Sequence, residues 1–198
     1  VKAQALKKVR VIAAPKLCDA VTKQMSHLQM GSAQIELNFE DLPFEQWNKV
    51  GSTKIELMYK PSAQMTARPL RKIASGGEVS RVMLACKVVL GESDVCDTLV
   101  FDEVDAGVGG ATAVALAEVL AQLAKTHQVI VVTHLPQVAV MASKQYVVSK
   151  TEEHNALPVT SLTEVSGTQR EEEIARMLSG SITEASLAHA HELLSEVR

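Results

Sequence analysis

Thr98-Leu99-Val100-Phe101-Asp102-Glu103 is a short apolar run that ends in two adjacent carboxylates, and Asp105 follows two residues on. A run with no polar alternation predicts a strand over 98–102 in a sheet covered on both faces. The charges at its end fall on the carboxyl edge, where α/β folds place ligands. Downstream, Leu116, Val119, Leu120 and Leu123 recur at helical spacing and predict a helix over 111–125. Val129-Ile130-Val131-Val132-Thr133-His134 then predicts a second buried strand over 128–133, with a short helix from Leu135. Upstream, Val79, Val82, Met83, Cys86 and Leu90 predict the buried face of a helix over 78–91, opened by Ser75-Gly76-Gly77-Glu78. Strands that alternate with helices in this way imply parallel pairing with right-handed crossovers.

The flanking segments read differently. Leu6, Val9, Ala13, Leu17, Val21, Met25 and Leu28 form one stripe over residues 1–29, as on an amphipathic or coiled-coil helix. Pro15 is expected to kink that helix or divide it, and Gly31 to end it. Two readings stay open, a helix packed on the domain and the returning end of a longer arm. Residues 34–39 and 54–59 alternate with period two and predict an antiparallel strand pair, with 61–69 as a connecting loop. Strands near 145–149 and 159–162 and helices over 169–179 and 183–196 complete the chain. Gly180 is the expected cap of the first of these helices, and Ser181 with Glu184 the capping box of the second. The fold class is therefore α/β: a mostly parallel sheet flanked by helices, with a small antiparallel strand pair and an N-terminal coiled-coil-like helix. Residues 1–30 read as the helical arm and 31–198 as the α/β lobe.

A chain of 198 residues with 46% hydrophobic and 22% charged side chains has globular composition. Aromatics are only 3%, so the core must be built from aliphatic residues. The net charge of −3 and the lack of a dense Lys/Arg run mean that this segment is not the main contact surface for a nucleic acid. Cys18, Cys86 and Cys96 form neither a disulfide framework nor a C-x-x-C pair, which reads as reduced thiols in a cytosolic protein. No apolar stretch reaches membrane-spanning length. The chain opens on Val1 inside a helical pattern, and we expect it to be a piece of something longer.

The motifs carry phosphate chemistry. A carboxylate at a strand end, such as Asp102, holds Mg²⁺ through water in phosphoryl-transfer sites, and an adjacent one, Glu103, can polarise the attacking water. A solvated charge pair is the plainer alternative, but D-E-x-D concentrates charge that calls for a cation or donors. His134, just past the second strand, is expected near Glu103, where it can contact a γ-phosphate or position water. A lone His after a strand is more often structural. Ser75 and Glu78 fit a capping box, yet a cap does not need two glycines, and bare N–H groups at a helix start suit an anion. Gly107-Val108-Gly109-Gly110 fails the G-x-G-x-x-G pattern because Thr112 occupies its last position. The histidines form no metal cluster, and no G-x-x-x-x-G-K-[ST] loop occurs anywhere.

Ala74-Ser75-Gly76-Gly77-Glu78-Val79-Ser80-Arg81 resembles the signature motif of ABC-type ATPase heads, in the S-G-G-E form of the SMC-like chromosome proteins. Residues 99–110 resemble their Walker B and D-loop segment, and Thr133-His134-Leu135-Pro136-Gln137-Val138-Ala139 their H-loop. The long forms of these motifs, with the segments 146–150, 174–178 and 187–190, are similar to the RecN family of bacterial DNA repair proteins. The resemblance implies the C-terminal lobe of a P-loop ATPase head. Asp102 would hold Mg²⁺ through water, Glu103 would be the catalytic base, and His134 would sense the γ-phosphate. Asp105 would lie in the loop joining two heads, and Ser75, Gly76 and Gly77, with Glu78 beside them, would bind the ATP held by a second head. Implied partners are the N-terminal Walker A half, a second head in an ATP-dependent homodimer, and DNA contacted mainly by the full-length assembly. The implied setting is double-strand-break repair and recombination in the cytoplasm at the nucleoid, with no membrane. This chain alone is expected to be inactive. A non-catalytic scaffold lobe and an ABC transporter lobe are the alternatives. S-G-G-E in place of S-G-G-Q disfavours the transporter.

Overall fold

The computed structural model describes residues 1–73, 75–91, 96–151 and 158–197, so Ala74 of the signature stretch lies outside the described residues. In chain order the elements are α1 (Lys2–His27), β1 (Gln34–Asp41), β2 (Thr53–Lys60), β3 (Arg68–Pro69), α2 (Gly76–Leu90), β4 (Thr98–Phe101), α3 (Ala111–Leu123), β5 (Gln128–Val131), α4 (Pro136–Val140), β6 (Gln145–Thr151), β7 (Val159–Val165), α5 (Gly167–Ser179) and α6 (Glu184–Glu196). The chain divides into two compact units, 1–107 with 122–132 and 108–121 with 133–198.

In the first unit α1 is one helix with Pro15 inside it, not two. A proline removes a single backbone bond, and Val11, whose carbonyl is freed, is exposed along with Pro15, so solvent can reach the orphaned group. The buried face runs Ala14, Cys18, Val21 and Met25 and continues to Leu28. Only the C-terminal half of the expected stripe is therefore buried; Leu6 and Val9 are exposed. α1 packs against α2 and β1. It ends four residues before the expected Gly31. Gln29 adopts φ 56°, Gln29 N–H donates to the Ser26 carbonyl, and Met30 N–H donates to the Met25 carbonyl at 3.1 Å, which is a Schellman closure with glutamine in the glycine position.

β1 pairs antiparallel with β2 from Gln34 opposite Lys60 to Asp41 opposite Thr53, as the alternation requires. The segment expected as a plain loop adds β3, where Arg68 pairs with Tyr59. Burial raises the Cys18 thiol and pushes Cys86 up to about 11, so both are neutral thiols at ordinary pH. The face of α2 is rotated from the expected one. Gly77, Val82, Leu84 and Ala85 are buried, whereas Met83 and Leu90 are exposed.

β4 and β5 pair in parallel, from Thr98 opposite Gln128 to Phe101 opposite Val131, with α3 as the chain between them. Leu99 and Phe101 are buried, but Val100 is 66% exposed, Ile130 47% and Val132 59%. The expected cover on both faces is thus present on one face only among the described residues. The α/β class holds, but among the described residues parallel pairing is confined to these two strands; the three-stranded sheet and the β6–β7 pair are antiparallel. The link from β6 to β7 is too short to hold a crossover, and a short return permits only antiparallel pairing.

The second unit has its own core. Ile174, Ala175 and Ala190 are fully buried with Ala139 and Val140, and Met177, Leu178, Leu187 and Leu194 pack around them. The Arg170 guanidinium donates to the carbonyls of Ala139, Val140 and Ala142 and so satisfies the C-terminal end of α4. Gly180 caps α5 at φ 76°, as its position predicts. The capping box of α6 is Thr183 with Ser186, not Ser181 with Glu184, because Glu184 is the first residue of the helix and the N-cap falls two residues later than expected.

Candidate functional site

The first turn of α2 and the loop after β4 meet in one place. Ser75, extended at φ −91°, is the N-cap, and its hydroxyl accepts from the Glu78 N–H at 3.4 Å. The Glu78 carboxylate accepts from the Tyr59 hydroxyl at 3.4 Å.

The two glycines have a reason that a cap lacks. A Cβ on Gly76 would collide with Oε2 of Glu103. A Cβ on Gly77 would sit 2.9 Å from the Ala106 Cβ and 3.1 Å from the Glu103 carbonyl oxygen. Gly77 is therefore the floor on which the backbone of the loop rests, and Gly76 leaves room for the Glu103 carboxylate, whatever else the two bind. Glu103 itself has φ 57°, in the left-handed region that residues with a Cβ seldom enter. Its Ala106 N–H to Glu103 carbonyl bond, 3.1 Å, closes the turn. Asp102 and Glu103 are exposed, and Val104 and Asp105 are buried beneath them.

Two residues that carry no assignment from the motifs hold this loop. The Ser80 hydroxyl donates to the Asp102 carbonyl at 3.0 Å, and Arg81 Nη1 donates to the carbonyls of Val104 at 3.2 Å and Ala106 at 3.0 Å. The sequence does contain their signal. Ser80 and Arg81 stand four residues beyond Gly76 and Gly77, on the same helix face as the two positions left bare for the loop.

His134 belongs to the second unit. It is exposed, between Thr133, whose hydroxyl accepts from the Leu135 N–H at 3.0 Å, and the proline that opens α4. The described residues contain no group of three metal-ligating side chains. Exposed Asp102 at the strand end offers one carboxylate of the kind that Mg²⁺ takes alongside its waters and substrate oxygens. Two cavities, of about 430 Å³ and about 500 Å³, are lined by none of the motif residues.

Burial, and then the Glu78 carboxylate facing it, push the Tyr59 phenol up to about 12 from its ordinary 10.0. The fold favours the neutral phenol, so its contribution is complete below pH 10 and is lost as pH rises toward 12. We expect stability to fall across that window by about 1.4 kcal/mol per unit more than in Tyr59→Phe, read from denaturant midpoints. Equal pH slopes in the two proteins would contradict the assignment.

No protein-family model matches the chain. Curated relatives do. The DNA repair protein RecN of Streptomyces coelicolor is 40% identical over 99% of this chain, and that of Deinococcus radiodurans 43% identical over 97%. The chain belongs to the RecN family. It spans about a third of these RecN relatives, 36% and 33% of their lengths. In structure it is similar to the Smc head domain with a coiled coil and joint from Pyrococcus yayanosii, with a TM-score of 0.58 over 86% of this chain and 30% of that one. At 18% identity that likeness speaks for the fold alone, an SMC-type head.

Proposed function

We propose that this RecN segment is the C-terminal lobe of an SMC-like ATPase head that acts in DNA double-strand-break repair, and that it hydrolyses ATP only when joined to the Walker A half. The observation that carries the reading is the presentation of Glu103. The carboxylate stands exposed at the carboxyl edge of β4 over Gly76, on a turn that enters the left-handed region and rests on Gly77 of α2. A strained, over-supported carboxylate beside a second one is the arrangement a general base needs.

In this reading Glu103 accepts the proton of the attacking water, and His134 senses the γ-phosphate. Asp102 would hold Mg²⁺ through water; the ion would neutralise charge on the phosphate oxygens. Ser75, with the first free N–H groups of α2, would face the γ-phosphate of ATP on a second head, and Asp105 would belong to the loop between heads. DNA and the second head are partners of the whole assembly, in the cytoplasm at the nucleoid.

The exposed Val100, Ile130 and Val132 support the need for a second half. Parallel strands are ordinarily covered on both faces, and here one apolar face beside the candidate carboxylates is open. The test is to supply the N-terminal half, fused or co-expressed, and to follow phosphate release. We expect turnover from the joined protein and none from this chain alone. Turnover by the isolated chain, or none from the joined head under any DNA condition, would contradict the proposal.

A further inference from the structure

We infer that Arg81 is the positioning residue for Glu103, locking α2 and the Asp102–Ala106 loop into one body so that an event at Ser75 and the Glu103 carboxylate move together. What Glu103 does rests on the function proposed above; the placement of Glu103 by Arg81 rests on the geometry.

A residue with a Cβ stays in the left-handed region only where its surroundings over-determine it. Around Glu103 the determinants are visible. The carbonyl before it, of Asp102, is taken by the Ser80 hydroxyl. Its own carbonyl is taken by the Ala106 N–H. The carbonyls of Val104 and Ala106 are both taken by the same nitrogen, Arg81 Nη1, at 3.2 and 3.0 Å. That bridge fixes the separation of two carbonyls within the turn and therefore its pitch. Gly77 lets the loop descend far enough to be reached, since a methyl group there would meet the Ala106 Cβ and the Glu103 and Ala106 carbonyl oxygens, while Gly76 leaves room for the Glu103 carboxylate itself.

The donor must be an arginine for this purpose. A guanidinium is planar, with its hydrogens in a fixed fork, whereas an ammonium swivels on its stem. A nitrogen already engaged with two backbone carbonyls is also poorly placed to serve as a phosphate ligand. Through Nη1, Arg81 therefore reaches the chemistry by way of the turn that carries Glu103.

The experiment uses the joined head with Arg81→Met and Arg81→Lys, reading kcat and KM for ATP, the thermal midpoint, and amide hydrogen exchange across residues 103–107. We expect Arg81→Met to lower kcat by about thirtyfold with KM within about twofold, and Arg81→Lys to recover part of the loss. Exchange at the Ala106 amide should quicken about tenfold or more while α2 keeps its protection. Unchanged kcat with unchanged exchange would overturn the inference. So would a loss of kcat that merely follows a falling thermal midpoint, since that is a structural role. If the unsubstituted head does not hydrolyse ATP, the functional reading fails, and exchange still decides the placement: quickening confined to 103–107 upholds it, and unaltered exchange overturns it.

Discussion

Glu103→Gln in the joined head is expected to lower ATP turnover by about a hundredfold to ten-thousandfold, the range a positioned general base supplies, or roughly 3–5 kcal/mol of transition-state stabilisation. The substitution is nearly isosteric. The amide can keep its place over Gly76 and retain the turn, but it cannot take a proton from water. Because the loop is held through backbone carbonyls of Asp102, Glu103, Val104 and Ala106, the side chain of Glu103 contributes little to holding it. ATP binding and the thermal midpoint should therefore be close to those of the parent. A rate within a few-fold of the parent, measured by phosphate release, would remove Glu103 from the role of base.

The second large effect is expected at Ser75. Ser75→Asp preserves the N-cap, since aspartate caps as well as serine, so α2 should form normally. It also places a negative charge on the exposed residue that we propose meets the γ-phosphate of ATP on another head. Like charges brought together at an interface cost several kcal/mol. ATP-dependent dimerisation, followed by light scattering in the Glu103→Gln background so that ATP persists, should weaken by about a hundredfold or more. ATP binding to each head should be little altered. Ser75→Arg should block dimerisation as well, through bulk, but it also loses the cap and so is the less clean variant. Dimerisation unaltered by Ser75→Asp would refute the assignment in trans.

The parts of the fold that were legible in the sequence are those set by short-range rules. The parallel β4–β5 pair follows from apolar runs at helical distance, and the buried Leu116, Leu120 and Leu123 of α3 follow from spacing. Gly180 and the Ser75 cap follow from local backbone chemistry. What was not legible depends on neighbours. Met83 and Leu90 look like core on a helical wheel, but the face of α2 that is buried is chosen by what packs on it. Pro15 looks like a break because the rule counts a lost bond without asking whether the freed carbonyl is in solvent. Gln29 closes α1 where a glycine was the expected choice, at the cost of a left-handed φ. At the site the same division holds. Asp102, Glu103 and the S-G-G were readable as motifs, and the reason for the second glycine was not. Gly77 is bare because Ala106 and the Glu103 carbonyl arrive there, a contact between residues 26 or more apart that no local pattern announces. The Tyr59 hydroxyl that reaches Glu78 from the neighbouring sheet is likewise a contact that no local pattern announces.

If Ser75 serves one nucleotide and Glu103 another, two crippled proteins must be able to repair each other. Mixing joined heads that carry Ser75→Asp with joined heads that carry Glu103→Gln creates mixed dimers in which one site has both residues intact and the other has neither. Random association would give about a quarter of the parent rate, one intact site in about half of the dimers, and the charge that Ser75→Asp brings to the second site of each mixed dimer lowers that further at limiting protein concentration. We predict that the mixture hydrolyses ATP about tenfold or more faster than either variant alone. A mixture no faster than the average of its two components would contradict the composite site and, with it, the assignment of S-G-G-E and D-E to different nucleotides.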